Sequence, residues 1–426
     1  MKTIWTNARL LDPASGTDAP GGVLVEGGII IDAGPHLAET PSGADAVQDC
    51  DGRCLAPGLV DLRVKTGEPG EEHRETLASA SEAAVAGGVT SMVVMPDTNP
   101  VIDDVALVEF VMRRGAATAR NRVYAAGALT VGLQGEAIAE IGLMQEAGAV
   151  FFTNADAPVA DPSVMKRALA YAAGRQAVVF AKPEDPALVG SGVMNSGALA
   201  ARMGLSGMGR DAEWTAASRD LILAEGAGAK LVLDQASTAR TVRLVEDAAA
   251  RGVAAACTVA AHHLYFNELD VGDYLTYCKT SPPFRAEEDR LALVDGVARG
   301  AIQAVVSAHD PQPPEEKRLP FAEAAFGAAG LETTLSAMTS LVHNEQLTML
   351  QALRPITCGP ADLIGLKAGR LAKGAPADLI VFDPDAPWLC DREKLRSRST
   401  NSPFDGRRLE GRVLKTVVGG EAVYSA

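Results

Sequence analysis

Residues 56–65, with the sequence APGLVDLRVK, are the stretch that decides the fold. The apolar run from Leu59 to Val64 follows a Pro-Gly turn and is typical of a buried strand in a parallel sheet. Ligands bind outside the carboxyl ends of such strands. We therefore expect a functional site where this strand ends, at Arg63 and Lys65.

The chain beyond this stretch repeats the same unit. Apolar strands alternate with alanine-rich helical stretches, as in βα units, and one helix is predicted from about Glu75 to Ala86, ended by Gly87-Gly88. The predicted strands end at Arg63, Met95, Gly127, Thr153, Lys182, Asp234, Thr258 and Ser307. This series predicts an α/β fold, a TIM (β/α)8 barrel over residues 56–365.

The two ends of the chain have a different sequence pattern, which is typical of short strands separated by turns. Gly27-Gly28 between apolar runs predicts a tight hairpin. Neither end can bury a sheet alone, so we predict one small β-sandwich built from residues 1–55 and 366–426. An irregular loop from Pro311 to Pro320 follows the eighth strand and is expected to cover the site.

The composition limits the possible partners. The chain has 426 residues and a net charge of −15, which argues against nucleic acid or an anionic membrane as a partner. Neither a signal-peptide pattern nor a long apolar run is evident, so we expect a cytoplasmic protein. The six cysteines are scattered and are expected to be reduced and structural.

Seven short blocks carry a family resemblance. They are GGVT at 87–90, MPDTNP at 95–100, STA at 237–239, HHL at 262–264, PPFR at 282–285, GLETT at 330–334 and NSPFDG at 401–406. With these blocks in order, the chain resembles the long-chain bacterial dihydroorotases of the amidohydrolase superfamily nearly from end to end. The resemblance implies reversible closure of carbamoyl aspartate to dihydroorotate by a binuclear zinc centre and an Asp general base.

The same resemblance locates the zinc ligands and the base, and all six positions differ in this chain. They are occupied by Arg63, Lys65, Asn154, Lys182, Gln235 and Ala308. A cationic side chain cannot donate a lone pair to zinc. We therefore predict that the zinc and the catalytic residues of the family are lost and that no cofactor is bound.

The residual pocket is also altered. By the resemblance, Gly67, Asp97 and Ser281 replace residues that hold the substrate. His309, which touches the substrate in the family, is retained, but a structural role is favoured because its partners are replaced. His262 and His263 are likewise expected to be structural.

These departures favour a dihydroorotase-like pseudoenzyme. It would be a homodimeric, non-catalytic structural subunit that assembles with aspartate carbamoyltransferase in pyrimidine biosynthesis. One alternative is a dihydroorotase or other cyclic amidohydrolase, similar to hydantoinase or allantoinase, with residual or metal-free activity through Lys65 or Lys182. Another is a small-anion binding protein.

The three new cations would repel one another if they were left unpaired. Arg63, Lys65 and Lys182 are therefore predicted to form ion pairs, with Asp97 first and with Asp156 or Asp310 next. Such pairs would turn the site into a salt-bridge plug.

Overall fold

The computed structural model describes residues 2–38 and 43–426. Five strands precede the barrel: β1 (Lys2–Asp12), β2 (Thr17–Glu26), β3 (Ile29–Gly34), β4 (Ala46–Asp49) and β5 (Cys54–Pro57). The strands of the barrel region are β6 (Leu59–Val64), β7 (Val89–Val94), β8 (Arg122–Ala125), β9 (Gly127–Ala128), β10 (Phe152–Thr153), β11 (Val178–Ala181), β12 (Met194–Asn195), β13 (Gly207–Met208), β14 (Lys230–Leu233), β15 (Ala255–Ala260) and β16 (Ala304–Val306). The C-terminal strands are β17 (Leu379–Asp383), β18 (Trp388–Leu389), β19 (Arg408–Leu409), β20 (Arg412–Val418) and β21 (Glu421–Ser425).

Helices follow the strands of the barrel region, as βα units require. They are α1 (Leu77–Ala86), α2 (Val105–Thr118), α3 (Ile141–Glu146), α4 (Pro162–Gly174), α5 (Pro186–Val189), α6 (Ala198–Met203), α7 (Arg210–Ala227), α8 (Ala239–Ala250), α9 (Ala261–Tyr265), α10 (Glu287–Ala298), α11 (Pro314–Lys317), α12 (Thr334–His343), α13 (Met349–Leu353) and α14 (Cys358–Ile364). The predicted alternation is confirmed, and each predicted strand end lies within two residues of an observed one.

The parallel strands of the barrel region form two hydrogen-bonded sheets. One has the order β6-β7-β8 and the other β9-β10-β11-β14-β15-β16, while β12 and β13 pair separately. A parallel bridge between Val64 and His309 connects the end of the first strand to the segment after the last. The carboxyl ends of the first and last strands are therefore neighbours.

The barrel strands are buried on both faces, which explains their continuous apolar sequences. In β6, Val60 and Leu62 pack in one cluster with Phe151 and Phe180. Leu59 and Val64 of β6 belong to a second, larger cluster that includes the apolar side chains of the helices. Val60 and Leu62 are two residues apart and therefore share one face of the strand.

Both chain ends contribute to one sheet, with the order β21-β20-β17-β5-β1-β2-β3 and with β4 beside β1. The predicted hairpin is confirmed: Glu26 pairs with Ile29, and Gly27 and Gly28 have the positive φ values that this turn requires. Both chain ends therefore contribute strands to one structure, and the predicted sandwich stays a prediction. Antiparallel pairing of β5 with β17 joins the N-terminal and C-terminal strands into a single eight-stranded sheet.

Two further expectations concern cysteines and membranes. All six cysteines are buried and free. Among the helices of residues 2–38 and 43–426, none has the length and apolarity needed to cross a membrane.

Candidate active site

A cavity of about 430 Å³ lies at the carboxyl ends of the barrel strands. Its charged lining side chains are Arg63, Lys65, Arg74, Asp156, Lys182, Glu184, Asp310 and Glu316. Its polar lining side chains include Gln235, His262, Thr280, Ser281, His309 and Gln312. Most of the residues singled out from the sequence, Ala308 included, therefore share one cavity. Asn154, Gly67 and Asp97 do not line it.

Arg63 is almost completely buried, with 3 % of its surface exposed. Its Nη1 contacts Asp234 and its Nη2 lies 2.9 Å from Oδ1 of Asp156. With its amide turned so that both ends are satisfied, Gln235 accepts a hydrogen bond from Nε of Arg63 at 2.6 Å. Burial alone would lower the pKa of Arg63, but Asp234 and Asp156 outweigh burial and raise it. Arg63 is therefore permanently charged and has its hydrogen bonds satisfied.

Lys65 lies among three carboxylates. Its Nζ is 2.9 Å from Asp97, 2.5 Å from Asp156 and 3.2 Å from Asp310. Burial opposes the charged form, yet the attraction of these carboxylates raises the pKa of Lys65 well above its usual value. An ammonium group has three N–H donors, so each can face one carboxylate. The Lys65 ammonium group thus supplies the positive charge that neutralises part of this carboxylate cluster.

Asp156 connects the three cations. In addition to Arg63 and Lys65, it accepts a hydrogen bond from Nζ of Lys182 at 3.0 Å. Burial would raise the pKa of Asp156, but Lys182, Lys65 and Arg63 lower it well below its usual range. Asp156 therefore stays ionised at neutral pH.

Lys182 has two further partners. Its Nζ lies 3.3 Å from Oε2 of Glu184 and donates to Oγ of Ser281 at 2.7 Å. The Ser281 hydroxyl in turn donates to Glu184 at 3.2 Å. Lys182 and Ser281 are therefore hydrogen-bonded to each other. At both positions the family resemblance implies other residues.

Sequence reasoning missed two carboxylates of this network, Asp234 and Glu184. Asp234 follows β14 directly, is 2 % exposed and accepts a hydrogen bond from Oγ1 of Thr258 at 2.7 Å. A carboxylate immediately after a buried parallel strand was the signal that could have found it. Glu184 carried no comparable signal, because it lies three residues beyond the end of β11.

Three residues just after strands have a positive φ angle, a backbone conformation that residues other than glycine rarely adopt. The φ angles are +49° at Ala155, +60° at Gln235 and +49° at Ala308. These residues follow β10, β14 and β16, and strained backbone of this kind is concentrated at functional sites. Because the backbone turns at Ala155, the side chains on its two sides have different surroundings: Asp156 lines the cavity and Asn154 does not.

Asn154 and Gly67 have local structural roles. The Asn154 amide bonds to Thr130 and to the Leu133 carbonyl, on the loop after β9. A Cβ on Gly67 would lie 1.8 Å from the carbonyl oxygen of Glu71, so the loop excludes any side chain there.

Asp310 differs from Asp156 in its electrostatics. Burial raises the pKa of Asp310, Lys65 opposes the rise, and the neighbouring carboxylates of Asp156 and Asp97 add to it. Gln312 donates to its Oδ1 at 2.8 Å. Asp310 therefore takes up a proton more readily than Asp156 does.

The histidines are held by local contacts. Nδ1 of His309 accepts from the Gly330 amide at 3.3 Å, and Nε2 lies 3.5 Å from Oε2 of Glu75. His263 is within hydrogen-bonding distance of the Pro282 carbonyl, and burial lowers its pKa to about 4. Burial also lowers the pKa of His262 well below its usual value, so both buried rings are neutral.

The donor set does not fit the zinc centre that the resemblance implies. Arg63, Lys65 and Lys182 hold protons where a ligand would need a lone pair. Within the described ranges, no group of three His, Cys, Asp or Glu side chains is arranged to hold a metal ion. No catalytic step is therefore assigned to zinc.

Comparison with known proteins identifies relatives along the whole chain. The family model described as Dihydro-orotase-like matches residues 52–267, and the model described as Amidohydrolase family matches residues 303–424. A protein of Pelobacter propionicus named Dihydroorotase is 40 % identical over 424 residues and is aligned over 100 % of both chains. One of Citrifermentans bemidjiense with the same name is 39 % identical, also over 100 % of both chains.

A solved structure agrees in fold. The L-hydantoinase (dihydropyrimidinase) of Arthrobacter aurescens superimposes with a TM-score of 0.90 at 25 % identity, covering 99 % of this chain and 96 % of that chain. The amidohydrolase type of α/β barrel expected from the sequence agrees with this neighbour.

These relatives overturn the predicted function. A non-catalytic structural subunit was expected because every family ligand is replaced, but relatives about 40 % identical over their full length carry the name of an enzyme. This finding favours the alternative, a cyclic amidohydrolase. The predicted homodimer and the predicted association with aspartate carbamoyltransferase stay predictions. Anion binding is not favoured, because Arg63, Lys65 and Lys182 already have carboxylate partners.

Proposed function

The chain belongs to the dihydro-orotase-like family, and we propose that it is a cyclic amidohydrolase that opens and closes a ring amide without a metal ion. The observation that carries this proposal is the identity of about 40 % with proteins named Dihydroorotase across the whole of both chains. The charged cavity at the strand ends supplies the groups for the chemistry.

Asp310 is the proposed acid–base group. Two carboxyls near the same ammonium have opposite pKa shifts, lowered for Asp156 and raised for Asp310. Such a contrast assigns the roles: Asp156 remains a fixed charge, and Asp310 exchanges a proton. Asp310 lines the cavity, so a ligand there can approach it.

In ring opening, the Asp310 carboxylate accepts a proton from water while the water oxygen bonds to the ring carbonyl carbon. The carbonyl electron pair moves to its oxygen. Protonation removes the charge of Asp310, which frees one N–H of Lys65 to donate to the new oxyanion. The carbon–nitrogen bond then breaks, and the ring nitrogen takes the proton from Asp310. Ring closure is the reverse sequence.

The test is a direct assay of ring opening with purified protein. We expect turnover of 5,6-dihydroorotate or 5,6-dihydrouracil above background, unchanged by EDTA or by added zinc. Asp310→Asn should lower kcat by about 10²- to 10⁴-fold, the usual contribution of a general acid–base group. The exposed Asp385→Asn is the matched control and should retain full activity.

The pH profile gives an independent check of the role of Asp310. The acid limb of kcat/KM should lie above the range of an ordinary aspartate, since the pKa of Asp310 is raised. Absence of turnover with both compounds would refute the proposed function. Activity that depends on stoichiometric zinc would refute the metal-free chemistry.

A further inference from the structure

A second cavity, of about 470 Å³, lies where helices of the barrel region meet the C-terminal strands. Its lining is contributed by α1, α12, the segment 387–396, β20 and β21. All of its lining residues differ from those of the candidate active site. Cavities of this size commonly hold small molecules, so this one is a separate candidate for a binding site.

Part of the lining is aromatic and apolar. It includes Trp388 and Tyr424, which are both half-buried, and the buried side chains of Leu335 and Val413. The Trp388 indole is held in place, because its Nε1 donates to Oγ of Ser336 at 3.1 Å. Fixed, partly accessible aromatic rings offer a surface on which another flat ring can pack.

The charged lining residues are three cations and two carboxyls, namely Lys394, Arg396, Arg412, Glu332 and Asp391. Asp391 is already paired, since its Oδ2 lies 3.0 Å from Nζ of Lys394. Burial raises the pKa of Glu332 to about 7, so this carboxyl is largely uncharged in mildly acidic solution. Within residues 2–38 and 43–426, the side chains of Arg396 and Arg412 have no carboxylate oxygen within 4.0 Å. The cavity therefore carries uncompensated positive charge, on a chain whose net charge is −15.

The positive charge lies beside the aromatic part of the lining. The Arg396 guanidinium is 5.4 Å from the centre of the Tyr424 ring. Its backbone is also held, because the Arg396 amide donates to Oε1 of Glu332 at 2.6 Å. A guanidinium group is planar and matches the oxygens of a carboxylate or a phosphate. One small ligand could therefore contact an aromatic ring and an arginine of this cavity at the same time.

We propose that this second cavity binds a small aromatic anion, in which a flat ring carries a carboxylate or a phosphate. The ring packs against Trp388 and Tyr424, and the anionic group accepts hydrogen bonds from Arg396 and Arg412. This inference does not depend on the ring-opening function proposed above.

The test is titration calorimetry of the full chain at about pH 6, below the pKa of Glu332. The probes are benzoate, phenyl phosphate, uncharged benzamide and inorganic phosphate. We expect benzoate or phenyl phosphate to bind with a Kd of about 1 mM or tighter, and the tighter of the two identifies the anionic group. Benzamide lacks the charge and inorganic phosphate lacks the ring, so each should bind at least about 10-fold more weakly.

Substitutions locate the binding. Arg396→Gln and Arg412→Gln should each weaken binding of the aromatic anion by about 10-fold or more, whereas Arg243→Gln, at an exposed position of α8, should not. A loss in only one of the two variants assigns the contact to that arginine. Trp388→Ala should weaken binding, and Trp388→Phe, which keeps an aromatic face, should restore it.

Three results would overturn the inference. They are no binding of either aromatic anion at about 1 mM, binding of benzamide as tight as that of benzoate, and unchanged binding in both Arg396→Gln and Arg412→Gln. Each of them leaves the ring-opening function untouched, because the active-site cavity has different lining residues.

Discussion

Replacing Asp234 with asparagine should destabilise the fold, because Arg63 would lose its most buried partner. The side chains of Arg63 and Asp234 are 3 % and 2 % exposed. Asparagine keeps the volume and an oxygen to accept the hydrogen bond from Thr258, so the change removes the charge and little else. Removing one member of a buried ion pair costs about 3–5 kcal/mol. Since Arg63 retains Asp156 at 2.9 Å, we expect about 3 kcal/mol.

The expected change in melting temperature follows from chain length. Unfolding entropy is about 2.1 cal/mol/K per residue, which gives about 0.9 kcal/mol/K for a protein of this length. A loss of about 3 kcal/mol therefore lowers Tm by about 3 °C. Scanning calorimetry resolves a shift of that size.

A double-mutant cycle separates the ion pair from general damage to the core. Arg63→Met alone should also lower Tm, because it leaves Asp234 without its counterion. The double variant Arg63→Met, Asp234→Asn should be more stable than the two single losses added together, by about 2 kcal/mol, because it leaves no stranded charge at this pair. The exposed Asp385→Asn should shift Tm by less than about 1 °C.

Two results would refute this reasoning. One is a Tm of Asp234→Asn within about 1 °C of wild type, which would mean that the buried charge of Arg63 does not need Asp234. The other is strict additivity in the cycle, which would mean that the two side chains do not interact.

Three further predictions concern other charged groups. Replacing Lys65 with alanine leaves three aspartates that lay within 3.2 Å of its Nζ. Because carboxylate oxygens suit Ca²⁺, added Ca²⁺ should raise the Tm of this variant and not the Tm of wild type. EDTA should reverse the effect. Burial raises the pKa of Glu332 to about 7, so the folded protein holds this proton more tightly than the unfolded chain. Wild type should therefore lose stability, by at most about 3 kcal/mol, as pH rises from about 4.5 to 7, and Glu332→Gln should lack that part of the pH dependence in thermal melts. Lys317 donates to the carbonyls of Thr276, Lys279 and Ala325, so Lys317→Met should speed amide hydrogen exchange of residues 311–329 by about 10-fold or more, whereas exposed Lys394→Met should not.

That the three cations share one cavity could be predicted from the sequence, for a simple geometric reason. Arg63, Lys65 and Lys182 lie at or just after the carboxyl ends of parallel strands, and those ends converge. The carboxylates that pair with these cations were harder to predict, since their positions depend on backbone turns that hydrophobic periodicity does not encode. The positive φ of Ala155 brings Asp156, and not Asn154, into the cavity. The sequence also predicted that the two chain ends combine, but local patterns do not reveal which strands pair, such as β5 with β17 more than 300 residues apart.

The apparent conflict between the relatives and the residues has a physical resolution in the charge network. Relatives about 40 % identical bear an enzyme's name, while the cations at the strand ends do not fit zinc. Lys65 stands among three carboxylates as a fixed positive charge, and Asp156 is held ionised by the same cations. Asp310 is the member whose proton affinity is raised. In the proposed chemistry a proton on Asp310 is thus the mobile charge of the site, and Lys65 changes partner as that proton arrives. It follows that stability and ring opening should be coupled: a substitution that weakens the hold of Asp156 on Lys65 should lower Tm and also shift the acid limb of the activity profile.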